Sequence, residues 1–137
     1  MAAVLLDAEA LSVIAFPKER GSAARRAQAV LDAATQRSTP IRVSAATLAE
    51  TYRGKARDAA IDRVLNQGID VLPVDRGTAK VAARLLTNAG LDSCSAIDAI
   101  VVATAIRLGA TLILTSDPGD LSLLAMDHPA VEIQALI

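Results

Sequence analysis

The chain has 137 residues, 53% of them hydrophobic, and a formal charge of -1 at pH 7, so we expect residues 1–137 to form a single domain with a well-buried core and no binding of nucleic acid through bulk charge. One cysteine and one histidine exclude an internal disulfide and argue against a zinc site or a histidine-based triad. Its apolar stretches are far shorter than the roughly 20 residues of a membrane span, and its first residues lack the pattern of a secretory signal, so we expect a soluble protein of the cytoplasm.

Short apolar runs alternate with segments of helical spacing along the chain. The apolar runs predict buried strands at residues 3–6, 41–43, 69–74, 111–114 and 131–137. The helical segments are residues 22–36, 44–52, 57–67, 77–88 and 95–108. Gly68, Gly90 and Gly109 follow three of these helices, where a left-handed cap favours glycine. The alternation predicts an α/β sandwich around a mainly parallel five-stranded sheet.

Two aspartates follow predicted strands. Asp7 comes directly after the run AVLL, and Asp117 comes two residues after the run TLIL. Ligands of parallel α/β sheets bind outside the carboxyl ends of the strands, so both carboxylates are candidates for one shared site. Helix capping is the alternative for each: Asp7 can cap a helix starting at Ala8, and Asp117 precedes Pro118 with a further acid at Asp120.

Asp98 lies near the start of the segment SAIDAIVVATAIRLG, which is apolar on nearly every face and predicts a central, buried helix. A capping box with Ser95 would explain an acid at this position. It would not explain what compensates a carboxylate among apolar neighbours, since an unpaired buried charge is costly. A bound cation, or an arginine such as Arg107 if the fold brings it near, would supply that compensation.

Glu50 lies in the segment SAATLAETYRG, where Thr47, Glu50 and Thr51 share one face at helical spacing. A solvated glutamate is the default interpretation of this position. Taken as a set, however, four acids in one place require cations or protons, because like charges about 4 Å apart repel by roughly 4 kcal/mol at an effective dielectric near 20. Carboxylate oxygens favour Mg²⁺ or Mn²⁺, which can activate water and stabilise charge on a phosphodiester.

The segments LLDAEALSV, SAATLAETYRG and SAIDAIVVATAIRLGATLILTSDPGDL resemble PIN-domain ribonucleases, and specifically the VapC-type toxins of bacterial VapBC modules. The resemblance spans nearly the whole chain and implies a three-layer α/β/α sandwich with metal-dependent endoribonuclease activity on RNA. It also implies that Mg²⁺ or Mn²⁺ is bound by Asp7, Glu50, Asp98 and Asp117. Asp120 fits the more variable fifth acid of the family's metal site.

The resemblance further implies a toxin of a toxin–antitoxin pair: a small antitoxin protein occupies the groove, and the chain forms a homodimer. Thr115 and Ser116 are expected to orient the metal ligands without binding the metal themselves. From the residues themselves, several basic side chains are candidates to flank a phosphate path, although each also fits a solvated helix. They are Arg20, Arg25, Arg26, Arg53, Lys55 and Arg57.

Two other α/β classes compete with this interpretation. A haloacid-dehalogenase-like phosphatase would use Asp7 as a covalent nucleophile, but Glu9 stands where that class needs a second aspartate, and Asp98 would have no role. A receiver-like signalling domain needs a phospho-acceptor aspartate at the end of its third strand. In that region Asp75 is better explained as the cap of the following helix.

Overall fold

Five strands and seven α-helices, with one or two helices between successive strands, make up the part of the chain that the computed structural model describes, residues 1–19 and 21–136. In chain order they are β1 (Ala3–Leu6), α1 (Ala8–Ala15), α2 (Gly21–Gln36), β2 (Ile41–Ser44), α3 (Ala45–Thr51), α4 (Lys55–Leu65), β3 (Asp70–Leu72), α5 (Arg76–Ala89), α6 (Ala96–Leu108), β4 (Thr111–Thr115), α7 (Gly119–Leu124) and β5 (Val131–Ala135). Short 3-10 turns occupy Pro17–Glu19 and Ser93–Ser95. None of these helices has both the length and the apolar character needed to cross a membrane.

The strands form one sheet in the order β3-β2-β1-β4-β5, and every neighbouring pair is parallel. β1 lies at the centre, with Leu6 opposite Val43 of β2 on one side and Leu114 of β4 on the other. All four residues of β1 and all five of β4 are buried, as expected for parallel strands covered on both faces. The predicted α/β class with a five-stranded, mainly parallel sheet is confirmed.

Helices cover both faces of the sheet. On one face Val4 and Leu6 pack with α1, α2 and α4, and on the other Leu5 and Ile113 pack with α5, α6 and α7. α6 contacts the sheet and its helical neighbours at once, and residues 99 and 101–105 are buried. The three-layer α/β/α arrangement and the central, buried position of this helix are therefore as predicted.

The structure differs from the sequence prediction at several element boundaries. α1 and α7 were not among the predicted helical segments, because each is short. β3 ends at Leu72, short of the predicted residue 74, since Pro73 has no N–H to extend the ladder. β5 ends at Ala135, short of the predicted residue 137: Leu136 is described but lies outside the strand, and Ile137 lies outside the described residues.

Gly90 caps α5 in the left-handed conformation, with φ 69° and ψ 27°, as predicted. Gly109 differs from the prediction, because its φ of 101° and ψ of -141° lie outside that region. An alanine Cβ at Gly90 would meet no atom within 4 Å, so Gly90→Ala should cost only the conformational penalty, about 1 kcal/mol of unfolding free energy in urea denaturation. Gly21→Ala, at the helical start of α2, is the matched control and should not destabilise the protein.

Candidate active site

An acid-lined cleft lies at the carboxyl ends of β1 and β4. It has a volume of about 200 Å³, and four of the predicted acids line it: Asp7, Glu50, Asp98 and Asp117. The other lining residues are Ala8, Glu9 and Val101. We call this feature the acid cleft. Sequence reasoning did not place Glu9 there, although its position two residues after Asp7, in the first turn of α1, is the signal that could have done so.

Each acid reaches the acid cleft on a different element. Asp7 and Asp117 follow β1 and β4, which are adjacent in the sheet, so their chain segments leave the same edge. Asp98 stands in the first turn of α6, and Glu50 near the end of α3, which packs against both α1 and α6. The shared position of the four acids is therefore produced by strand order and helix packing together.

Asp7 both caps a helix and lines the acid cleft. Its Oδ1 accepts a hydrogen bond from the Ala10 N–H at 2.8 Å, which confirms the capping interpretation. The residue is only 7% exposed. Burial, with smaller contributions from the charges of Asp98 and Glu9, raises the pKa of Asp7 from 3.8 to about 6, against the lowering effect of hydrogen bonds from Thr115 and Ala10. A buried carboxyl that is costly to ionise is a strong candidate for cation binding.

Asp98 is half-buried. The structure contradicts both alternatives to cation binding at this residue, the capping box with Ser95 and the pairing with Arg107. Its pKa is raised, first by burial and then by the charges of Glu50, Asp120 and Asp117. The capping box does not form, because Ser95 directs its hydroxyl to Asp120 and its N–H to the Asp92 carbonyl. Within residues 1–19 and 21–136, no salt bridge joins Asp98 to a lysine or an arginine.

Arg107, which could have compensated Asp98, lies elsewhere in the fold. Its Nη1 donates to Asp75 Oδ1 at 2.5 Å and to Thr78 Oγ1 at 2.8 Å. Asp75 itself caps α5, as predicted, by accepting from the Thr78 N–H at 2.8 Å. Arg107 therefore stabilises the start of α5. It does not compensate the charge of Asp98.

Asp117 does not cap a helix in the predicted manner. α7 begins at Gly119 with Pro118 as its N-cap residue and no side-chain cap, and the Gly119 N–H lies 3.5 Å from Asp117 Oδ1, a long contact. The hydroxyl of the buried Thr115 accepts from the Asp117 N–H at 3.0 Å and lies 3.2 Å from the Asp117 carbonyl oxygen, and its interaction with Asp7 lowers the pKa of that carboxyl. Thr115 thus lies between the chain segments that carry two acids of the cleft.

Ser116, the other residue expected to orient ligands, has a buried hydroxyl without a hydrogen-bond partner within the described ranges. Glu50 is exposed, whereas Thr47 and Thr51 are buried. The three residues therefore do not share one face of α3 as predicted. The two threonines point into the core, and the glutamate lines the cleft.

Of the remaining predicted residues that the structure describes, none lines the acid cleft. Asp120 is not among its lining residues and accepts a hydrogen bond from Ser95. Among the basic side chains, Arg26 donates to the Leu136 carbonyl and Arg53 to the carbonyls of Ala49 and Tyr52. Arg25 and Lys55 are exposed on α2 and α4, and Arg20 lies outside the described residues.

Arg57 has a structural position that the sequence did not indicate. It donates to the Thr51 carbonyl at 3.1 Å and to Ser12 Oγ at 3.3 Å. Its guanidinium also covers the ring of Phe16, 4.7 Å from the centroid. The contacts join α4 to α1 and α3, so Arg57 stabilises the elements that carry Asp7 and Glu50 and is a weak candidate for phosphate contact.

The donor set of the acid cleft fits a hard divalent cation, because all the polar side chains that line it among the described residues are carboxylates. Across residues 1–19 and 21–136, no three acid, histidine or cysteine side chains are already arranged to hold a metal ion. Like charges favour separation of the carboxylates, and a bound cation would offset that repulsion. The chemistry of the residues thus fits a divalent cation that prefers oxygen ligands.

Comparison with known proteins gave one family and several similar folds. The family model described as the PIN domain matches residues 4–125. The DNA-bound VapBC of Salmonella typhimurium is similar with a TM-score of 0.69 at 15% identity, covering 100% of each chain. VapBC2 of Rickettsia felis, bound to a promoter DNA fragment, gives 0.69 at 16% identity, covering 97% of this chain and 98% of the other.

A toxin-antitoxin complex from Klebsiella pneumoniae gives a TM-score of 0.63 at 20% identity, covering 94% of this chain and 95% of the other. At these identities the likeness to all three structures is one of fold. No curated protein gives a significant match.

Proposed function

Because the chain belongs to the PIN-domain family, as its sequence predicted, we propose that it is a Mg²⁺- or Mn²⁺-dependent endoribonuclease and the toxin of a type II toxin–antitoxin system in the cytoplasm. The observation that carries the proposal is the convergence of Asp7, Glu50, Asp98 and Asp117 on the acid cleft. Burial and mutual repulsion there raise the pKa of Asp7 and of Asp98. Such a site is costly for stability alone, which favours a functional role.

In this proposal the four carboxylates hold the metal, and each is presented by its own element. Asp7 is oriented by the Ala10 N–H, and Thr115 contacts both Asp7 and the segment of Asp117. When bound, a divalent cation activates water and stabilises negative charge on the phosphodiester, so the chain needs no nucleophile of its own. The side chains supply ligand oxygens and fix where the scissile phosphate can approach.

Recognition of RNA would depend on phosphates more than on bases. The two aromatic side chains, Phe16 and Tyr52, are occupied: Phe16 lies against Arg57, and the Tyr52 hydroxyl donates to Asp62. Exposed arginines remain available for phosphate contact, and Arg53 stands three residues after Glu50.

The proposed partner is a cognate small antitoxin, and the proposed assembly is a homodimer of the toxin with that antitoxin bound. Support comes from the similar folds, all three of which are described as VapBC or toxin-antitoxin complexes. The acid cleft would be complementary to a basic side chain of the antitoxin.

Expression in bacteria tests the toxin function directly. Expression of this chain alone should arrest growth and produce new RNA ends, and co-expression of the neighbouring small open reading frame should prevent both. In purified form, cleavage should require Mg²⁺ or Mn²⁺ and stop in EDTA. Full activity in EDTA would contradict the metal requirement, and hydrolysis of p-nitrophenyl phosphate without RNA cleavage would favour a phosphatase.

Glu50→Gln should separate activity from stability. Glu50 is exposed, so the substitution should change the unfolding free energy by no more than about 0.5 kcal/mol. Loss of one ligand charge should lower the metal-dependent cleavage rate at least about tenfold. Glu132→Gln, at an exposed position on β5, is the matched control and should retain the wild-type rate. Equal rates for the two variants would remove Glu50 from the site.

A further inference from the structure

One hydrogen bond joins the two chain segments that bear Asp98 and Asp117. Ser95 Oγ donates to Asp120 Oδ2 at 3.0 Å, across 25 positions of sequence. Ser95 stands three residues before Asp98, at the start of α6, and Asp120 stands three residues after Asp117, in the first turn of α7. Ser95 is only 8% exposed, so the bond is shielded from competing water on the serine side.

Ser95 has a more usual role that it does not perform. A serine at a helix N-cap position normally accepts a hydrogen bond from the first turn of its own helix. Ser95 occupies that position in α6 without making a side-chain cap. Its hydroxyl donates to Asp120 instead, so this residue contributes to tertiary structure in place of local capping.

The segment between β4 and α7 is held at both ends. At its start, the Thr115 hydroxyl accepts from the Asp117 N–H. At its end, Asp120 is held by Ser95, and the first turn of α7 is closed by the Ser122 N–H donating to the Pro118 carbonyl at 2.8 Å. Loss of the Ser95–Asp120 bond would release one end and let Asp117 move relative to Asp98.

We propose that Ser95 and Asp120 are positioning residues, whose hydrogen bond keeps Asp117 and Asp98 at a mutual separation suited to binding one divalent cation. Asp120 acts through Ser95 and is not itself a metal ligand, in contrast to the role that the family resemblance implied. Its absence from the lining of the acid cleft supports this assignment. The inference rests on the proposed function only in assuming that the acid cleft binds a divalent cation.

Calorimetric titration with Mn²⁺ distinguishes a positioning residue from a ligand. Asn at position 120 retains an oxygen that can accept from Ser95 but loses the charge of a ligand. Asp120→Asn should therefore lose only the part of the affinity that depends on the charge of Asp120 near Asp98, whereas Asp120→Ala and Ser95→Ala should each lower the affinity about tenfold, as removal of groups that orient ligands does. Ser95→Thr, which keeps the hydroxyl, should retain the Mn²⁺ affinity of the wild type. Ser93→Ala, at an exposed serine of the same turn, should not change that affinity.

Non-additivity gives a second criterion. The double variant Ser95→Ala with Asp120→Ala should bind Mn²⁺ no more weakly than either single variant, because both changes remove the same bond. An Asp120→Asn variant as weak as Asp120→Ala, or a double variant with the sum of the two losses, would overturn the proposal.

Hydrogen exchange in metal-free protein provides a readout that does not depend on metal. The amides of Asp117 and Gly119 should exchange faster in Ser95→Ala and Asp120→Ala than in the wild type, and at the wild-type rate in Asp120→Asn. Unchanged exchange in Ser95→Ala would overturn the positioning role. A wild-type protein that bound no Mn²⁺ would contradict the proposed function, while the exchange rates would still decide whether the bond holds Asp117 in place.

Discussion

Asp98→Asn should lower metal-dependent RNA cleavage by at least about a hundredfold while the protein stays folded. Even groups that only orient a ligand change metal affinity or activity by about 10- to 100-fold, and Asp98 lines the acid cleft itself. Initial rates on an RNA whose cleavage sites have been mapped give the activity, and circular dichroism gives the folded state. Asp127→Asn, at an exposed position outside the cleft, makes the same chemical change and should retain activity.

The metal-free Asp98→Asn protein should be at least as heat-stable as the metal-free wild type. Burial and the charges of Glu50, Asp120 and Asp117 raise the pKa of Asp98, so its ionised form is a cost to the fold that Asn removes. A large fall in Tm would mean that Asp98 stabilises the start of α6, and it would support a capping role. Unchanged cleavage would remove Asp98 from the catalytic site.

Asp7→Asn should stabilise the metal-free protein in a pH-dependent way. Burial raises the pKa of Asp7 to about 6 in the folded protein, against 3.8 as the ordinary value. The folded state therefore holds this proton more tightly than the unfolded state, and the wild type loses stability as pH rises from about 4 to about 6. The difference corresponds to about 3 kcal/mol at neutral pH.

Asn at position 7 avoids that loss because it does not ionise, and its side-chain oxygen can still accept from the Ala10 N–H. Urea denaturation across pH 4 to 8 should show Asp7→Asn more stable than the wild type by up to about 3 kcal/mol at pH 7, with the advantage disappearing near pH 4. Asp127→Asn should give no such pH-dependent advantage. A stability difference that does not vary with pH would contradict the raised pKa of Asp7, and retained RNA cleavage would contradict its role as a ligand.

Local features of the fold were predictable because they depend on neighbours within a few positions. The strand at Ala3–Leu6 is an unbroken apolar run, and its bounds match the prediction. Asp75 caps α5, and Gly90 ends it, as their residue types favour. The sequence indicates a cap at Asp7 but does not predict α1 as an element, because eight residues give too little periodicity to distinguish a helix.

The sequence by itself determined which side chains were available for chemistry: fifteen aspartates and glutamates, one histidine, one cysteine and two aromatics. It also placed Asp7 and Asp117 at strand ends. Only the tertiary structure decided the pairings between distant residues, since these depend on strand order and helix packing. Arg107 donates a hydrogen bond to Asp75 and not to Asp98, and Ser95 donates one to Asp120 and does not cap its own helix. Periodicity reports which face of an element is buried, but it carries no information on which distant element that face will meet.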